Sequence, residues 1–391
     1  MASTPPPLAG RLRERMVREG PLPFSAFMRE ALYHPLEGYY SDPNRRIGRG
    51  GDFYTSVSTG PLFGTLLAAT FASMWDALGR PACWHVAEQG AHDGRLAADA
   101  LSALRRDWPV AAEGLRWRFL EDRPAWRIRQ QDTLRAAGLA DAGEWPEQPS
   151  EAATGVFFSN ELADALPFDL VVHRAGAWRE RRVDWDPVAA AFAWSEVPAE
   201  PELAAQAVAL GVPALEGWTA EIPGEALRWA SGWSRSIARG FCLTIDYGGA
   251  GPEFYNPERA RGTFRAYSAH RQEADVLCEP GTRDITAHVP FHGLAAAARA
   301  QGWEVAGWCD QHRFLTAAAE TGGWLQRIGP ALARRPPDPE AQAALRQFRA
   351  LSHPGIMGRA FHILAMVRGL DAGAADSIHG LKYRRPFPEV S

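Results

Sequence analysis

The chain has 391 residues, of which 46% are hydrophobic and 23% charged, with a formal net charge of −4. That length implies two or three domains, or one large domain with insertions, and the apolar fraction excludes wholesale disorder and collagen-like repeats. A mildly acidic balance gives no basis for phosphate-backbone binding, so nucleic acid is not expected as a partner. Lys382 is the only lysine. A P-loop therefore has no lysine to reach phosphates, and Schiff-base chemistry would depend on one residue near the C-terminus.

Cys83, Cys242, Cys278 and Cys309 lie far apart without a CxxC pair, a pattern that points to a reducing compartment without a disulfide framework. No apolar stretch approaches the ~20 residues of a membrane span. The N-terminus MASTPPPLAGRLRERMVREG carries charge where a secretory signal needs an apolar run. Together these features read as a cytoplasmic protein.

In chain order, helices are expected at Leu8–Glu19 and Ser25–Tyr33, the second capped by Ser25. A Gly-rich polar stretch follows at Gly38–Gly60, too rich in turn formers for a plain connector. Residues 61–78 carry apolar positions at helical spacing. Strands are then expected at Trp84–Glu88, Leu115–Glu121, Val156–Ser159 and Phe241–Asp246, with helices at Leu96–Leu104 and Pro124–Ala137 between the first three. Short apolar strands alternating with helices predict a parallel sheet covered on both faces. Trp303–Trp308 and Phe361–Val367 extend its edge. Residues 168–235, with an antiparallel pair (DLVVHR, AWRERRVDWD) and many tryptophans, interrupt the alternation, as do helical residues 311–355. Residues 371–391 read as a tail.

Open parallel sheets bind ligands beyond the carboxyl ends of their strands. The first strand ends in Glu88-Gln89-Gly90-Ala91-His92-Asp93-Gly94, where glycines admit a close ligand and the next helix N-terminus favours negative charge. The second ends in Glu121-Asp122, where a carboxylate can accept both hydroxyls of a ribose. A nucleoside-containing cofactor suits both, though a plain strand–turn–helix explains the turn equally well. A dinucleotide fingerprint needs G-x-G-x-x-G and an acid ~20 residues on. Here the turn is G-x-x-x-G and Glu121 stands 31 residues beyond Gly90, which disfavours a nicotinamide-dependent dehydrogenase. The third strand ends in Asn160-Glu161-Leu162-Ala163-Asp164. Asn160 could simply cap a helix, but Glu161 and Asp164 exceed what a cap needs. Such carboxylates could hold a guanidinium and aim its lone pair at a methyl donor. The fourth strand ends in Asp246-Tyr247-Gly248.

The ordered motifs GYYSDPNRRIGRGGDFYTS, AEQGAHDGRL, LEDRPAWRIRQQ, FFSNELADALPFD, CLTIDYG and GTFRAYSAHRQEADVLCEPGTRDITAHVPF, from about residue 20 to 315, resemble one family. This is the S-adenosylmethionine-dependent methyltransferase family of bacterial MidA-like proteins and the mitochondrial complex I assembly factor with protein-arginine methyltransferase activity. The resemblance implies a class I, Rossmann-like α/β fold with a seven-stranded, mostly parallel sheet. It implies a methyltransferase core at 81–167, 236–310 and 356–370. Around it stand an N-terminal helical segment with a GDF cofactor loop at 1–80, and insertions at 168–235 and 311–355. It places S-adenosyl-L-methionine on Gly51, Asp52, Phe53, Thr55, Ser56, Glu88, Gly90, Gly94, Glu121 and Asn160. It maps its NE-x-x-D cluster onto Asn160, Glu161 and Asp164, the expected catalytic residues, and makes a protein arginine the expected acceptor. Glu161 and Asp164 are then expected to bind the acceptor and help remove its proton, with Asn160 and Tyr247 shaping the pocket. A protein partner and a homodimer are expected.

The family's turn usually reads GPG-x-G, so His92 stands here where a glycine is usual. That departure motivates a second reading, a methyltransferase fold with weakened chemistry acting in assembly. His288 and His292 are four apart with Pro290 between them and no third ligand, and Cys309 and His312 form a lone C-x-x-H, so no metal is expected. Tyr267, His270 and Asp284 lie in a shared segment and are candidates for substrate contact or packing. No G-x-S-x-G elbow supports a serine hydrolase.

Overall fold

The computed structural model describes residues 7–42, 56–147, 153–268, 271–273, 275–336 and 338–389. Its main sheet runs, edge to edge, through Glu304–Asp310, Phe361–Arg368, Ile237–Gly249, Ala153–Asn160, Trp84–Gln89, Leu115–Leu120 and Gly143–Glu144. The last five are parallel, while Phe361–Arg368 runs against both of its neighbours. Val289–Pro290 adds a short eighth strand beside Gly248 and Gly249, and the seven-strand path is the mostly parallel α/β sheet expected from the resemblance.

Alternation within single strands explains the two layers of helices. Val156 and Phe158 enter one apolar cluster with Phe71, Leu101 and Phe314, and Phe157 enters another with Trp233, Leu294 and Met366. Both faces of the strand are thus buried, as parallel strands require. The helices Leu62–Ala77, Arg95–Asp107 and Gln311–Thr321 supply the first face, and Gly224–Ser231 with Phe291–Arg299 the second. Leu62–Ala77 is apolar nearly all round and almost wholly buried, as a helix inside a core should be.

A second, antiparallel sheet joins Leu22–Pro23, Asp169–Arg174, Ala177–Asp186, Ala191–Pro198 and Thr219–Ile222. The N-terminal helices Leu8–Glu19 and Phe24–Tyr33 share its apolar cluster, in which Phe24 lies 5.3 Å from both Phe168 and Trp194. Ser25 does not cap its helix: Pro23 stands at that position, and the Ser25 hydroxyl donates to Asp169 instead. Residues 371–389 are not the tail that their composition suggested. Ala375, Ile378 and Leu381 are buried in the main core, Arg385 bridges to Trp308, and Glu389 pairs with Arg299, which folds this end back.

At the centre of the sheet His85, Gly155 and Gly240 stand side by side on three strands. A Cβ on Gly155 would meet the His85 carbonyl oxygen at 2.0 Å, and one on Gly240 the Gly155 carbonyl oxygen at 1.9 Å. Gly155→Ala should therefore force the central strands apart and cost about 3 kcal/mol in urea unfolding of the full chain, the upper range of overpacking. A loss below about 1 kcal/mol would show that the strands separate without strain.

Candidate active site at the carboxyl rim

The chain winds outward from Trp84–Gln89 to Gly143–Glu144, then returns to the other side at Ala153–Asn160. The rim between those two central strands is the topological switch point, where a crevice opens. Beyond Trp84–Gln89, Gly90, His92 and Gly94 all take positive φ, at +80°, +47° and +77°. A Cβ on Gly90 would stand 3.1 Å from Leu162, so that side chain packs on bare backbone. The His92 ring lies 4.4 Å from that of Trp126, and its Nε2 is buried without a hydrogen-bond partner.

Gln130, fully buried, organises this end of the site. Its Nε2 donates to the His92 carbonyl at 3.0 Å and more weakly to Glu121 Oε2 at 3.4 Å, while its Oε1 accepts from Trp145 at 2.8 Å. Glu121 also accepts from the Arg123 amide at 3.0 Å, and burial raises its carboxyl pKa. Glu88 lies inside, accepting from the Trp117 indole at 2.8 Å, and burial pushes it up to about 8.

On the other side of the switch point Glu161 takes φ +52°. Its amide donates to the Ile245 carbonyl, and its Oε1 accepts from Ser56 N at 3.1 Å and Asn160 Nδ2 at 3.0 Å. Asn160 Oδ1 is buried with no partner. Buried Ser56 also donates to Gln311, a residue the sequence did not single out.

Asp246, at the end of Ile237–Gly249, has no exposed surface. Its Oδ2 accepts from the amides of Leu162, Ala163 and Asp164 at 3.2, 2.8 and 3.2 Å, and its Oδ1 from Tyr247 N at 2.8 Å. Burial still pushes it up to about 7. Asp164 is raised by burial and then by Asp246, Asp284 and Glu161, and burial pushes Glu161 up to about 8. Among the described residues, no Lys, Arg or His forms an ion pair with Glu161, Asp164 or Asp246.

Tyrosines surround these acids. Tyr40 donates to buried Asp284 at 2.8 Å, Tyr33 to the Ala165 carbonyl at 3.0 Å, and Tyr267 pairs with Asp284 in strand register. Tyr247 packs on Phe361 at 3.9 Å, and burial with the nearby acids raises its pKa. The site thus gathers Asn160, Glu161, Asp164, Tyr247, Tyr267, Asp284 and Ser56 around one rim, with Gly90, Gly94 and Glu121 across from them. Gly51, Asp52, Phe53, Thr55 and His270 lie outside the described residues. His292 turns to the Leu210 carbonyl and His312 to that of Ser352.

Because Glu161 keeps a proton to about pH 8 when folded, and to about 4.5 when unfolded, unfolding releases that proton between the two values. Stability should fall as pH rises through this window. Glu161→Gln removes the proton and should flatten the fall by on the order of 2 kcal/mol between pH 5 and 8. Thermal or urea unfolding at both pH values checks it; parallel curves for the two proteins would refute the buried acid.

Residues 66–309, more than half of the chain, match the family described as "Putative S-adenosyl-L-methionine-dependent methyltransferase". The crystal structure of a Burkholderia thailandensis protein bound to S-adenosylhomocysteine superposes with a TM-score of 0.83 at 33% identity, covering 96% of this chain and 98% of that one. The Drosophila melanogaster protein arginine methyltransferase NDUFAF7 homolog, mitochondrial, is 28% identical over 399 residues, covering 94% of this chain and 86% of the relative. Its Homo sapiens counterpart, also named mitochondrial, is 26% identical over 410 residues, covering 98% and 88%. These names overturn the cytoplasmic placement expected from the sequence. Few cysteines report only a reducing compartment, and the cytosol is one of several. Among the described residues no helix is long and apolar enough to cross a membrane.

The rim fits an adenosyl ligand on its own evidence. Gly90 and Gly94 offer backbone without side chains, Asn160 Oδ1 is an orphaned buried acceptor, and among the described residues Glu121 is a part-buried carboxylate bound by an amide and a distant amide side chain. The chain belongs to the family of S-adenosyl-L-methionine-dependent methyltransferases, and S-adenosylmethionine is its cofactor.

Proposed function

We propose that the methyl acceptor is an arginine side chain of a protein. One observation carries this reading: Glu161, Asp164 and Asp246 are drawn together under burial, and no described cation pairs with them. Buried carboxylates without a counter-ion are pushed toward their protonated forms. A guanidinium entering the cluster offsets that cost through charge-assisted hydrogen bonds that a planar fork makes in pairs. The names of the fly and human relatives, protein arginine methyltransferases, support the same acceptor.

In this reading Gly90 and Gly94 let backbone approach the cofactor, Glu121 receives the ribose hydroxyls, and Asn160 Oδ1 accepts a donor on the cofactor. Ser56, following Gly51, Asp52, Phe53 and Thr55, holds Glu161 through its amide. Glu88 stays beneath the turn as the partner of Trp117. When bound, S-adenosylmethionine supplies a methyl group on a positively charged sulfur, open to in-line attack by nitrogen. Glu161 and Asp164 hold the guanidinium and orient the attacking nitrogen. Ser56 and Asn160 both donate to Glu161 Oε1, which leaves Oε2 to take the proton that the alkylated nitrogen sheds. Tyr33 and Tyr40, anchored to Ala165 and Asp284, wall the pocket and exclude water.

Tritiated methyl transfer to protein acceptors, followed by amino-acid analysis, tests the acceptor directly. Label in methylarginine is expected, and label confined to another residue would overturn the reading. Glu161→Gln and Asp164→Asn should each lower kcat/KM at least ~10²-fold, the usual scale of acid–base contributions, with S-adenosylhomocysteine affinity within about threefold by calorimetry. Full activity in Glu161→Gln would remove it from the chemistry. Since Glu161 must lose its proton to hold a cation, the acceptor KM should fall as pH rises from 6 to 8.

A further inference from the structure

Beside the acidic pocket lies a group of arginine and histidine side chains. Val289–Pro290 pairs in parallel with Gly248 and Gly249, which carries His288 to the same rim. The His288 amide donates to Thr263 Oγ1 at 2.9 Å. His362 stands opposite Asp246 on one side and Asp310 on the other, with its ring stacked on Trp308 at 4.9 Å and 10°. The Nδ1 atoms of His288 and His362 are both buried without a hydrogen-bond partner.

Three arginines are near enough to act on the charge of these rings. Arg259 lies over Phe254 at 4.5 Å and donates only to its carbonyl, at 3.3 Å. Arg265 donates only to the Phe264 carbonyl at 2.7 Å, and the Arg385 amide is bonded to the Trp308 carbonyl at 2.7 Å. Burial holds both imidazoles down at about 4; Arg259 and Arg265 add to it at His288, while at His362 Asp310 opposes it and Arg259 and Arg385 add to it. Among the described residues none of the three arginines has a carboxylate partner. The acids within reach are occupied: Glu221 by the amides of Thr263 and Phe264, and Asp310 by Arg313. What remains is a surplus of positive charge with two idle ring nitrogens, a complement for an anion.

We propose that Arg259, Arg265, His288 and His362 form an anion subsite beside the acidic pocket, and that it takes a side-chain carboxylate of the protein acceptor. This rests on the reading of the acceptor as a protein arginine. Asp246 and Gly248 are two residues apart on one strand, about 7 Å, so an extended peptide reaches from one site to the other within two or three residues. The enzyme then selects arginines with an acidic residue two positions away.

The test compares two peptides, Ac-Glu-Gly-Arg-Gly-NH2 and Ac-Gln-Gly-Arg-Gly-NH2, on the full chain with S-adenosylmethionine. The acidic peptide should show a KM about tenfold lower, the scale of one charge-assisted hydrogen bond. Arg259→Gln should bring the ratio close to one, and Arg259→Lys should restore part of it. Arg265→Gln provides a second probe, and retained S-adenosylhomocysteine binding shows that each variant is folded. Calorimetry of both peptides with S-adenosylhomocysteine bound reads the same ratio without turnover. Equal KM values in the unmodified protein, or a ratio that survives both glutamine variants, would overturn the subsite. If neither peptide is methylated while calorimetry still shows an Arg259-dependent preference, the subsite stands and the arginine reading falls.

Discussion

The four amide hydrogen bonds to Asp246 are the constraint from which the rest of the site follows. A carboxylate with no exposed surface must have its lone pairs filled, and here every donor comes from backbone. Three of those amides are consecutive, so the chain after Glu161 has to coil into a short turn over the end of Ile237–Gly249. That turn presses Leu162 onto Gly90, which links the acid-bearing loop to the glycine turn across the switch point. It also sets Asp164 beside Asp246 and leaves Glu161 at positive φ. A side chain outside the reacting group thus fixes both walls of the crevice.

The arrangement sacrifices stability for a site of one sign. Several acids share a small buried volume, and each holds its neighbours toward the neutral form. The N-terminal segment keeps this tolerable. Tyr33 and Tyr40 bring hydroxyl donors to the acids' surroundings, and Arg123 ties the same segment to the second strand through the Tyr40 and Tyr33 carbonyls at 2.7 and 2.9 Å. Arg123 is held to neutral carbonyls and forms no ion pair with Glu161, Asp164 or Asp246.

Much of the fold could be read from periodicity, because core strands such as Ala153–Asn160 and Ile237–Gly249 are apolar on both faces and the helices between them are amphipathic. Gly143–Glu144 could not: two residues without a β-branched side chain carry no strand signal, and pairing with Trp117 and Arg118 makes the strand. The rim residues at strand ends were legible because topology puts function there. Gln130 was not, since a glutamine inside an amphipathic helix looks like a solvated position until Trp145, Glu121 and the His92 carbonyl converge on it. Ser56 and Gln311 meet across 255 residues of sequence, a contact that no local pattern encodes.

His92 is where the chain departs from the usual glycine, and the structure explains why the departure is tolerated. A non-glycine residue in the left-handed region costs about 1–2 kcal/mol, yet His92 keeps the φ that a glycine would supply. Two contacts offset the cost: its carbonyl accepts from Gln130, and its ring rests on Trp126, which itself donates to the Tyr40 carbonyl at 2.9 Å. The imidazole is thereby drawn toward the helix Pro124–Ala136. The turn's backbone path is preserved, and the added side chain joins it to the N-terminal segment that covers the acids. A substitution that looked from the sequence like a weakened cofactor turn becomes a brace between the turn and the wall of the pocket.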